Sequence, residues 1–277
     1  MKIFKLVFSS LVIIGLASCT SIVKKPDINN VKKVALVSVY GNQNIRELNS
    51  KTDWARKPEV VTGFNDQQKQ KVAELALNYY EAKLKEMGPW KVTPVHKMLT
   101  SAKFSAAMKE LRSVKDASGK KIDETSLSGK LGSFLTNVAE MGYLTPAGMH
   151  PLPISDENRN ASQGVINSLV KLAKDLDVDA VAVVQVDLAY TGGAFSLGGT
   201  GTAVASVASS IKLVDKNGVV VIDYPNVSEK TKRFESETSS GMLQGKLIFN
   251  AKLETMLKEA IIASADNLVT EIKKEMK

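Results

Sequence analysis

Cysteine is almost absent from this chain. There is one, Cys19, in 277 residues, alongside only two histidines and two tryptophans. A single thiol excludes an intramolecular disulfide, a cysteine zinc centre and a two-cysteine redox pair. Two histidines, His96 and His150, are too few for a histidine-based metal centre, and His150 sits in a Gly148-Met-His-Pro run that reads as an ordinary loop. No G-x-S-x-G elbow occurs. The one long apolar run, Leu6 to Gly15, falls well short of the roughly 20 residues that a membrane-spanning helix needs. These absences point to no catalytic, cofactor-binding or metal-ligating residue, and no cofactor is expected. They leave open catalysis by paired carboxylates, which needs no local motif.

The first residues carry a clear pattern. Lys2 and Lys5 precede the apolar run Leu6–Gly15, and small residues follow it, as in a secretory signal. Leu16-Ala17-Ser18-Cys19 resembles the lipobox of bacterial lipoproteins. The other readings are an uncleaved N-terminal anchor helix and a plain secretory signal with a chance cysteine. The resemblance implies that residues 1–18 are removed and that Cys19 carries a diacylglycerol and acyl chains as the first residue of the mature protein. Two or more chains anchor stably, at about 0.8 kcal/mol per buried CH₂. Thr20 rather than Asp follows the cysteine, which by enteric-type sorting implies an outer-membrane address, facing the periplasm or the surface.

Signal removal takes away two lysines and no acid, so the net charge of +8 becomes +6. A modestly basic exported protein fits a solvated surface or a soft attraction to anionic headgroups. Nucleic acid is not an expected partner. The 259 residues that remain (277 less 18) are ample for a self-sufficient core.

Residues 19–30 read as the lipidated cysteine and a flexible tether, with Pro26 and several Asp and Asn residues, and 31–277 read as a single domain. Val31–Val39 predicts a first strand, and 42–64 a long polar loop. Asn65 with Gln68 predicts a capping box opening a helix that Gly88-Pro89 ends. Trp90–Val95 predicts a short edge strand, and 98–117 a helix. Residues 116–160, with many Gly and Pro, read as an irregular insertion with one helical turn near Phe134–Met141. Ser162 is expected to cap a helix through Leu176. From Asp179 to Tyr190 the chain reads as a central strand, apolar on both faces in its first half. Thr202–Val214 and Val219–Tyr224 form a hairpin around Asn217-Gly218. The last 30 or so residues read as an amphipathic helix striped by Leu253, Leu257, Ile261, Leu268 and Ile272.

The predicted fold is therefore α/β or α+β: a mixed central sheet of about five strands, amphipathic helices packed on it, and a long C-terminal helix. The opening strand, the passage LAKDLDVDAVAVVQVDL and the hairpin SSIKLVDKNGVVVIDY are similar to a group of bacterial envelope proteins. The group includes the curli-secretion pore lipoprotein, the N-terminal domain of the Tol-system propeller protein and lipoprotein activators of peptidoglycan synthases. This resemblance implies a non-enzymatic role in protein binding or envelope assembly, with an envelope protein partner and possible homo-oligomers.

Three stretches mimic chemical motifs. Asp175, Asp177 and Asp179 alternate like calcium ligands, but Ala180 and Val186 stand where such a loop needs Gly and a bidentate acid. Gly192–Gly201 holds five glycines without phosphate-loop spacing and reads as an exposed hairpin tip suited to contact, with Phe195 and Leu197 at its end. Ser168-x-x-Lys171 and Ser209-x-x-Lys212 match one motif of penicillin-interacting enzymes without its companions. Two alternatives to the envelope-binding reading stand beside it: a hydrolase using carboxylates and a periplasmic ligand carrier.

Overall fold

A computed structural model describes residues 23–47, 61–112, 143–152, 159–195, 200–230, 234–239 and 246–277. The fold is mixed α/β with helices on a mixed sheet, as expected, and the described residues form ten strands, several of them only two or three residues long, where about five are expected. They are β1 (Lys33–Asn42), β2 (Arg46–Glu47), β3 (Val61–Thr62), β4 (Lys91–Thr93), β5 (Tyr143–Leu144), β6 (Ala180–Phe195), β7 (Thr200–Asp215), β8 (Val220–Lys230), β9 (Phe234–Ser239) and β10 (Lys246–Ile248). The main path runs β3-β10-β9-β7-β6-β1-β4, with β8 on β7, β5 on β1 and β2 on β6. The helices are α1 (Asp66–Met87), α2 (Val95–Leu99), α3 (Ala102–Arg112), α4 (Arg159–Asp175) and α5 (Ala251–Met276).

The centre of the sheet is β1 and β6, paired in parallel. Eight consecutive positions of β1 are buried, and Ala180–Val184 of β6 are buried without alternation. Continuous burial of this kind requires cover on both faces. α1 and α5 pack together and against β1 and β7, while α4 packs against β6, β7 and α3. Parallel pairing of β1 with β4 and β6 and antiparallel pairing of β6 with β7 make the sheet mixed.

Local chemistry explains the element ends. The Asn65 side chain accepts from the Gln68 N–H at 3.1 Å, and the Gln68 side chain accepts from the Asn65 N–H at 2.9 Å, which completes the predicted capping box of α1. α4 closes with Asp177 in the left-handed region at φ 53°. There the Val178 N–H donates to Ala173 and the Asp177 N–H to Lys174, the bond pair of a Schellman cap. The Asn217-Gly218 hairpin is present with a three-residue connection. Gly218 takes φ +89°, which a residue with a Cβ adopts only with strain.

Several expectations are corrected. Residues 23–30 are packed and are not a free tether. Val23 forms a β-bridge with Ile222, a 3-10 helix spans Asp27–Asn30, and Val23 and Ile28 are buried. The apolar residues between the polar ones gain more from docking on β8 than from staying solvated. The 42–64 stretch contains β2 and β3 and buries Ile45 and Phe64; Trp54 and Pro58 lie outside the described residues. The 98–117 helix divides at Thr100-Ser101 into α2 and α3, and its last residues lie outside the described range. α4 begins at Arg159, so Ser162 lies inside the helix instead of capping it. Within the 116–160 insertion, β5 pairs with the end of β1 and Met149 and Leu152 join the core; Phe134–Met141 lies outside the described residues. β8 runs on past Tyr224, taking Pro225 and Asn226 at a register shift between the pairs Ile211–Tyr224 and Ser209–Val227, opposite Ser210.

Candidate functional site

Cys19, the residue that the lipobox marks, lies outside the described residues. The described chain begins four residues later, and its first contact is specific. Val23 bridges Ile222 and the Lys24 N–H donates to the Val221 carbonyl at 2.9 Å.

That attachment lies at one end of the sheet, where the register collects lysines that are far apart in sequence. Lys33 pairs with Lys91, the Lys91 N–H donates to the Lys32 carbonyl, and the Asp179 N–H donates to the Lys33 carbonyl. The Lys216 N–H in turn donates to the Asp179 carbonyl. Across this end stand Lys91, Lys32, Lys33, Lys216, Lys24 and Lys25, all exposed except the half-buried Lys33. Asp179 is the hub. Its carboxylate accepts the backbone N–H groups of Lys32 and Lys33 at 3.0 and 3.1 Å and the Lys216 ammonium at 2.8 Å. The Lys216 hydrogen bond, helped by the two backbone donors, holds the Asp179 carboxyl below the usual range. Asp177 pairs with Lys33 at 3.0 Å, and that bond lowers its pKa too. Lys24 faces Asp27 at 3.9 Å. Asp215 spends its oxygens on the Asn217 and Val219 N–H groups of the hairpin turn. Lys25, Lys32 and Lys91 have no carboxylate partner among the described residues.

The motif look-alikes resolve in structural terms. Asp177 and Asp179 are committed to lysines and backbone, and Asp175 pairs with Lys171, as expected for a helix end meeting a strand start. Among the described residues no three His, Cys, Asp or Glu side chains gather as a metal site would need. Ser209 and Lys212 lie three apart on β7 and so point to opposite faces. Ser209 is buried with Tyr80 and Ser264, while Lys212 bonds Asp223 at 3.1 Å. Burial pushes the Tyr80 hydroxyl up to about 12, so it stays a neutral hydroxyl tying α1 to β7 and α5. On α4, Ser168 is half-buried and Lys171 is exposed. His96 is exposed on α2, and the His150 carbonyl accepts a bond from Ser38 at 2.7 Å.

The glycine run is shorter as a loop than expected. Gly192, Gly193 and Phe195 belong to β6 and Gly201 to β7, with Phe195 paired to Gly201 across a register shift. The tip is reduced to residues 196–199, which lie outside the described residues, as Leu197 therefore does. Backbone pairing carries the glycines where side-chain pattern gives no strand signal.

A crevice of about 250 Å³, open to solvent, lies between α1 and the far ends of β1 and β6, walled by Tyr40, Val72, Ala76, Leu144, Pro146 and Val186. It is below the ~300–1,000 Å³ of typical ligand sites and apolar throughout. No helix among the described residues is long and apolar enough to cross a membrane.

No family model matches this chain, and no curated protein matches it. Among solved structures, the hypothetical protein CT253 from Chlamydia trachomatis is similar at 11% identity, covering 87% of this chain and 98% of that one, with a TM-score of 0.30. The lipoprotein GNA1162 from Neisseria meningitidis is similar at 21% identity over 52% of this chain and 90% of that one, with a TM-score of 0.17. At overlaps this low neither neighbour says what this chain does.

Proposed function

We propose that this chain is a lipid-anchored protein of the bacterial envelope, attached to the outer membrane through Cys19, that acts by binding protein partners or supporting envelope assembly and not by catalysis. The observation that carries the reading is how near Cys19 the packed chain comes. Val23, four residues after the position at which the signal-like segment and lipobox place the mature N-terminus, is already paired with Ile222. A lipid on Cys19 would hold the domain itself, not a distant appendage, at the bilayer. Replacing Cys19 with Ala and partitioning cells with detergent tests the anchor: the parent is expected in the detergent phase and the variant in the aqueous phase. Equal partitioning would refute it. Crosslinking in intact cells followed by mass spectrometry tests the partner half; repeated failure to recover any crosslinked envelope protein would count against it.

A further inference from the structure

We infer that the lysine-lined end of the sheet is a membrane-docking surface, held flat against anionic phospholipid headgroups so that the opposite end of the domain faces away from the bilayer. This deepens the anchored reading and rests on it.

Reach comes first. From Cys19 to Val23 is four residues, which span at most about 14 Å when fully extended. Val23 is fixed opposite Ile222, two residues into β8, and the antiparallel bridge sends the chain from Val23 through Lys24 and Lys25 to the end where Lys32, Lys33, Lys91 and Lys216 gather. That end is about 7 Å along the strand from Val23, so an anchored lipid lies within roughly 20 Å of it, two to three Debye lengths at ~8 Å each in physiological salt. The far end is out of reach. α1 closes at Met87 beside Lys91, and its 22 residues carry its start, Asp66, roughly 33 Å away along the helix.

Charge then selects the face. Six lysines meet four aspartates there (Asp27, Asp177, Asp179 and Asp215), a balance of +2, and all four carboxylates already have cationic or N–H donors. Lys25, Lys32 and Lys91 remain to meet phosphates, the Lys32 ammonium also donating to the Asn29 carbonyl at 2.9 Å, and three such attractions at an anionic surface are weak. That is too little to hold a soluble protein on a membrane and enough to orient one that a lipid already holds. The aspartates have a structural role: Asp179 locks β1, β6 and the β7–β8 turn together, which keeps the lysines in one row.

The test uses the full lipidated protein in vesicles of phosphatidylethanolamine with a minor fraction of phosphatidylglycerol, doped with a nitroxide-headgroup lipid. A fluorophore is placed on Asn217→Cys at the lysine end or on Asp66→Cys at the far end; the thiol of Cys19 is blocked by its lipid. Quenching is expected to be several-fold stronger at position 217 than at 66. The contrast should shrink in high salt and in a Lys25→Glu, Lys32→Glu, Lys91→Glu variant. Equal quenching at the two positions, or a contrast indifferent to salt, overturns the docking surface while leaving the anchor intact. Protein that fails to float with the vesicles at all overturns the anchor and this surface with it.

Discussion

Asp179 satisfies three donors from two segments with one carboxylate, so its contribution depends on its charge. Asp179→Asn keeps an oxygen for the two backbone N–H groups, which share one carboxylate oxygen, and loses the ion pair with Lys216; the cost should be about 1–2 kcal/mol near neutral pH. The carboxyl is depressed below its unfolded value of about 3.9, so its stabilisation is complete above that value and is lost as pH falls through the lower folded value. Urea unfolding of parent and variant should therefore show a stability gap at pH 7 that narrows toward about pH 3. A gap unchanged with pH would assign the loss to geometry instead of charge. At the same scale, Tyr80, Ser209 and Ser264 form a polar group in the middle of the core that no local sequence signal announces, because its members come from α1, β7 and α5. The lysine row is hidden for the same reason. Its residues are spread from position 24 to 216, and a net charge says nothing about which end of a sheet holds it.

At the scale of elements, legibility followed length and period. α1 and α5 announced themselves through a capping box, a glycine stop and a repeated apolar stripe, and β6 through an unbroken apolar run flanked by a helix end. β2, β3, β5 and β10 have two or three residues each, too few for any period to show. β9, Phe-Glu-Ser-Glu-Thr-Ser, is polar and is a strand because β7 and β10 pair with it. β8 was cut short at Pro225, since a proline normally ends a strand; the register shift there removes the need for its N–H. The central place of β6 gives a direct test. Val183 is 4% exposed, opposite Ser38 on one side and Lys212 on the other. Val183→Asp buries a charge whose cross-strand neighbour, Lys212, is already paired with Asp223, and should cost several kcal/mol, lowering Tm by roughly 10 °C in a domain of this size. An unchanged melting temperature would contradict the pairing order.

At the scale of the whole molecule, the boundary between anchor and domain decides how the protein sits in its envelope. Read as sequence, residues 20–30 have the composition of a spacer, and eleven free residues would let the domain wander about 20 Å from its lipid. Packed from Val23, the domain has almost no slack. Val23 is 1% exposed, Ile28 3% and Val31 2%, and the Val31 N–H donates to Ile28 as the chain turns into β1. Val23 and Ile28, the two of these that a chain starting at Val31 lacks, contribute about 1.5–3 kcal/mol each, less the entropy of ordering the segment. A soluble chain that starts at Val31 should therefore be less stable than one that starts at Thr20 by about 3 kcal/mol, and its amides around Ile222 should exchange faster. Equal denaturant midpoints for the two would return residues 23–30 to the status of a spacer. The same result would remove the short reach on which the orientation of the lysine end depends, so this truncation tests the fold boundary and the membrane geometry together.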